Sequence, residues 1–202
     1  MEETNSSLKD LCDLIANQGA EYAHQHTEIF LEITRGTTDK AISREQVDKT
    51  FEIFAFLNWA LVNRIWSYMK NTTLRKDLKG QIYKSIVQKT SYELSEDKSN
   101  ERVALLASKL DQEFRELALS YNAGIEGIAG LSVTPYANKV TLVGLKWLRE
   151  IFDLNDEEMD VIESQFNDRI DIAKIEDSAR QVNRKANQRK RGFFKRIFGS
   201  LK

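Results

Sequence analysis

Residues 51–66 read FEIFAFLNWALVNRIW, and few folds can hold such a segment. It is long for a strand, and on a helix its apolar side chains cover nearly every side. It is also too polar for a lipid-facing span. Glu52, Asn58, Asn63 and Arg64 interrupt it, and a central charge costs roughly 2.5–3.5 kcal/mol on insertion. A helix that is apolar all round belongs at the centre of a bundle. Glu52, Asn58 and Asn63 then become buried polar groups, and their default role is hydrogen bonding between helices.

The flanking sequence carries the same helical period. The chain has 202 residues, one proline and nine glycines, which favours long uninterrupted helices. Leu8, Leu11, Cys12, Ile15, Tyr22, His26, Ile29 and Ile33 make one stripe, predicting a first helix from Ser7 to Arg35. Ser43 and Gln46 form a predicted capping box before the second helix. Thr73 is the predicted cap of a third, carrying Ile82, Ile86 and Val87, and a fourth carries Leu106, Leu110, Phe114 and Leu117. The small-residue segment NAGIEGIAGLSVTP, with Gly124, Gly127 and Gly130, reads as a tight connection against the core, before a fifth helix that opens at Thr134-Pro135. Asn155 and Glu158 open a sixth, with Met159, Ile162, Phe166 and Ile170 on its stripe. Beyond Glu176 that stripe thins to Ala179, Val182 and Ala186, so the helix is expected to leave the body.

The fold expected is therefore all-α: a bundle of five or six helices with a C-terminal polar stalk and a short amphipathic helix. The expected divisions are a bundle domain at 1–176, a polar basic stalk at 177–190 and an amphipathic basic tail at 191–202. A stalk without a core-facing stripe predicts that removing 180–202 leaves the folded body unchanged.

Few residues in the body suit catalysis. Cys12, the single cysteine, lies on an apolar stripe and reads as packed rather than nucleophilic. No Gly-x-Ser-x-Gly elbow or Gly-Lys-Ser/Thr phosphate loop occurs. Only His24 and His26 can supply imidazole. Glu21 and His24 have the E-x-x-H spacing of a bundle metal site, with Glu28 one turn on, but a two-metal centre needs a second copy. The expectation is no metal, no cofactor and no enzyme, with Glu21, His24 and Glu28 as the residues to check. A single cysteine and an N-terminus without a secretory pattern suggest a cytoplasmic setting.

The charge distribution points elsewhere. The net charge of −1 conceals nine Lys or Arg and no acid from Arg180 onward, against 21 basic and 31 acidic residues in 1–179. A body and an arm of opposite sign mark an interaction segment. On a helical wheel Phe193, Phe194, Ile197, Phe198 and Leu201 share one arc, while Lys195, Arg196 and Lys202 fall opposite and Arg191 lies at the boundary. Lys190 breaks the segregation. That is the layout of an interfacial helix, with aromatics at the acyl boundary and cations at anionic headgroups. Five half-buried side chains contribute roughly 4–7 kcal/mol, against roughly 1 kcal/mol for each residue ordered. Attachment by this helix alone is then reversible, and a homo-oligomer would strengthen it by avidity.

The stretch GFFKRIFG, Gly192 to Gly199, resembles the C-terminal membrane-targeting tail of MinD-type division-site ATPases. The resemblance implies peripheral attachment to the inner face of the cytoplasmic membrane. It covers only about a dozen residues, and without a Walker motif it implies no ATPase activity. The function expected is a cytoplasmic scaffold, adaptor or effector, held on an anionic membrane surface by its tail, with its acidic body free to bind a protein partner. The alternatives are docking of the tail on protein, and nucleic-acid binding through its cations and phenylalanines.

Overall fold

Helical periodicity is realised throughout the described chain. The computed structural model describes residues 2–68, 76–124 and 133–198, with side chains described for 9–66, 79–119, 143–171 and 173–187. Among these residues there are seven helices and no strand: α1 (Glu2–Thr37), α2 (Arg44–Tyr68), α3 (Lys76–Leu94), α4 (Asn100–Gly124), α5 (Val133–Phe152), α6 (Asp156–Arg169) and α7 (Ile172–Phe198). Thr73, residues 125–132 of the glycine-containing connection, Leu201 and Lys202 lie outside the described residues.

The all-round apolar segment becomes the axis of the bundle. Residues 51–58 of α2 are buried without a gap, followed by Leu61, Val62, Ile65 and Trp66. Different sides of α2 meet α1, α3, α5 and α7, which explains why its apolar residues do not confine themselves to one stripe. Phe54 stacks on Phe166 of α6 and meets Phe30 of α1 edge-on, while Phe56 packs against Phe114 of α4 and Trp147 of α5. Gly144 lets α5 approach α2 closely, since a methyl group there would collide with Leu57. Buried hydroxyls on α1 are satisfied within the helix: Thr27 and Thr34 donate to Ala23 and Phe30 carbonyls at 2.7 and 2.8 Å.

Both expected capping boxes form. The Gln46 amide donates to Ser43 Oγ at 3.2 Å and the Ser43 amide to Gln46 Oε1 at 2.9 Å. Asn155 and Glu158 exchange the equivalent pair.

The C-terminal third differs from the sequence reading in two ways. The sixth helix divides: Ile170 turns to extended backbone, and Asp171 accepts from the Lys174 amide at 3.4 Å, as an N-cap for a separate helix. A seventh helix is the result. Nor does the chain leave the body after Glu176. Ala179, Val182 and Asn183 are buried, so the stretch expected as a free polar stalk at 177–190 is seated on α1 and α2 through at least Asn183.

Candidate functional site

The basic amphipathic sequence belongs to an unbroken helix. α7 runs from Ile172 to Phe198, so Arg191, Phe193, Phe194, Lys195, Arg196, Ile197 and Phe198 all lie on helical backbone that continues from the seated part. None of the described helices is long and apolar enough to cross a membrane.

The seat of α7 is built from small residues and a few directional bonds. Ile175, Ala179, Val182 and Asn183 are buried, and Ala186 is half-buried. Trp66, fully buried, donates its indole N–H to the Ala179 carbonyl at 2.9 Å. The Tyr22 hydroxyl lies 3.0 Å from Ser178 Oγ and donates to the Lys174 carbonyl at 3.3 Å. Beneath the seat is a cavity of about 20 Å³, lined by Ile15, Gln18, Tyr22, Asn58, Trp59 and Val182 among others. That is room for about one water molecule. Gln18 Oε1 is buried there with no hydrogen-bond partner in the protein, and Asn58 reaches the Gly19 carbonyl only at 3.5 Å.

The residues with metal-ligand spacing sit elsewhere. Glu21, His24 and Glu28 line one open cleft between α1, α3 and the start of α7, together with Lys89, Glu93 and Lys174. His24 is half exposed, its ring lies 4.3 Å from that of Phe51, and Nε2 is 3.7 Å from Glu93. Lys89 binds the other oxygen of Glu93 at 2.6 Å. Among the described residues no three His, Cys, Asp or Glu side chains are grouped to hold a metal ion. His26 is buried against Phe54 and Phe166, and burial lowers it to about 4, so it is a neutral core residue.

Of the polar residues in the central helix, Glu52 has the most unusual surroundings. Lys49 Nζ lies 2.7 Å from both Glu52 and Glu113, joining α2 to α4. Burial, and then the hydrogen bond with Glu113, push Glu52 up to about 7. Glu113 is held below its ordinary value by its bonds with Glu52 and Lys49, against the effect of its own burial. The two carboxyl groups meet over a single ammonium, an arrangement that α2 alone does not reveal because Glu113 is contributed by α4. Asn63 also has a partner in the structure.

The proton on Glu52 has a thermodynamic consequence. Folded protein retains it between about pH 4.5 and 7, where an unfolded chain has released it, so this group's contribution to stability falls as pH rises through that window. His26 acts in the opposite sense below its ordinary 6.5, so variant and wild type must be compared at each pH. Glu52→Gln keeps a donor for Glu113 and removes the titration. Its stability relative to wild type is expected to improve by about 2 kcal/mol between pH 5 and 8, read by chemical denaturation. A constant difference across that range would show that Glu52 holds no extra proton.

Comparison with known proteins finds no family model, no curated protein and no solved structure that matches this chain.

Proposed function

We propose that the chain is a helical adaptor or scaffold that attaches peripherally and reversibly to an anionic membrane through its C-terminal helix. One observation carries this reading: at the end of an unbroken helix, large apolar residues and cations are sorted onto opposite arcs, beyond a body of opposite charge. The proposed setting is the cytoplasmic face of the membrane. The acidic body is the proposed protein-binding part. On it α4 leaves Leu105 and Leu119 about three-quarters exposed on the same side of the helix, with the exposed Lys109, Gln112 and Arg115 between them.

The competing use of such a tail is nucleic-acid binding, and the two differ in what the cations do. Lys195, Arg196 and Lys202 changed together to Gln are expected to weaken binding to vesicles with one-third anionic lipid roughly a hundredfold, at about 1 kcal/mol per cation. Binding to neutral vesicles should barely change. Titration against single-stranded and duplex nucleic acid in parallel provides the contrast. Tight, steeply salt-dependent binding there, with none to vesicles, would replace the membrane reading.

A further inference from the structure

The seated and inserting parts of α7 use the same side of one helix. At roughly 100° per residue, the buried Ile175 and Val182 and the half-buried Ala186 lie within about 60° of Ala179 around the axis. Positions 193, 194 and 197 fall within the same 60° of Ala179, because the helix is continuous through Phe198. Lys190 falls on this arc too, between the two stretches.

This register creates a steric conflict. An interfacial helix must turn its apolar arc towards the lipid. With α7 seated and unbroken, that arc faces α1 and α2 along its first half, so a bilayer meeting the tail would have to occupy the side already taken by the bundle. A helix of this length spans about 40 Å, too short to carry the bundle clear.

Resting on the membrane reading above, we propose that seating of α7 and membrane insertion of its tail exclude one another, so that α7 is a latch that must lift from α1 and α2 for the protein to bind lipid. The composition of the seat suits a latch. On the α7 side its described apolar contacts are confined to Ile175, Ala179, Val182 and the half-buried Ala186, and the cavity beneath it holds the unpartnered carbonyl of Gln18. Lifting exposes Trp66, Trp59 and Asn58 to solvent. In the unbound protein the seated helix withholds the tail from premature insertion, and part of the insertion energy is spent on opening the seat.

The test locks the latch. In a Cys12→Ser background, Tyr22→Cys and Ser178→Cys place two thiols across the seat, where the native hydroxyls are 3.0 Å apart, within reach of a short bis-maleimide. Before crosslinking, the protein should sediment with vesicles of one-third anionic lipid at least as well as wild type does, since both replaced hydroxyls help to hold the seat. After crosslinking it should bind at least tenfold less, while a single-cysteine control treated with the same reagent is unaffected. Equal binding by locked and unlocked protein would overturn the latch and leave membrane attachment standing. No binding by wild type itself would instead remove the membrane reading. Hydrogen exchange on unmodified protein gives a second measurement: amides in 175–186 should lose protection when vesicles are added, and unchanged protection in vesicle-bound protein would equally overturn the latch.

Discussion

Ending the chain after Asp177 is expected to lower the unfolding free energy by roughly 3–5 kcal/mol, whereas ending it after Asn187 leaves stability unchanged. The shorter form loses Ala179, Val182 and Asn183, all buried, together with the half-buried Ala186. It uncovers Trp66 and removes the carbonyl that its indole N–H uses, as well as the Ser178 hydroxyl beside Tyr22. Exposing about two side chains' worth of apolar surface contributes some 2–4 kcal/mol, and losing the partner of a buried donor adds about 1. The longer form keeps every one of these contacts. Denaturant titration of the two truncations against wild type measures the difference directly. Equal stability of all three would mean that α7 is a stalk in solution after all.

That expectation reverses the one drawn from sequence, and the reason lies in residue size. A seat made by Ala179, Val182 and Ala186 scarcely registers as a hydrophobic stripe, because alanine adds little to any apolar count. Its strongest fixing points, Trp66 on α2 and Tyr22 on α1, are more than a hundred residues away in the chain. The break between α6 and α7 was hidden similarly. Asp171 is one acid in a run of polar residues, and only the extended turn at Ile170 turns it into a cap. Where signals were local and strong, sequence was sufficient: α2 is central because it is apolar on all sides, and Ser43 and Asn155 cap their helices with side chains three positions on.

The buried polar groups show the same division. Glu52 stands out in sequence as an acid in an apolar helix, but its partner Glu113 becomes a neighbour only once α4 packs beside α2. His26 sits on the apolar stripe and is buried, while His24, two residues earlier, lies in the open cleft with Glu21 and Glu28. Their E-x-x-H spacing is a property of any helix with those residues. Whether it gathers ligands depends on what other helices bring, and here α3 brings Lys89 to Glu93. The tail is the opposite case: its sorting of aromatics and cations is complete within a dozen or so positions, so a linear reading suffices.

The proposed membrane attachment rests on that sorting, and the apolar arc is its larger expected contribution. Changing Phe193, Phe194, Ile197 and Phe198 together to Ser removes four of the five large side chains that would enter the acyl boundary, while leaving all nine cations of the C-terminal arm in place. The loss is roughly 4–6 kcal/mol of insertion energy, more than a thousandfold in partition. Secondary structure and stability of the body should stay as in wild type, because these positions lie beyond Ile175, Ala179, Val182 and Asn183, the buried positions of α7 among its described side chains. The decisive measurement is co-sedimentation of wild type and this variant with vesicles of one-third anionic lipid at physiological salt. Wild type should distribute to the pellet in proportion to lipid, and the serine variant should remain in the supernatant at every lipid concentration. A serine variant that sediments as well as wild type would show that the C-terminal helix does not insert, and that the protein is held on membranes, if at all, by charge alone.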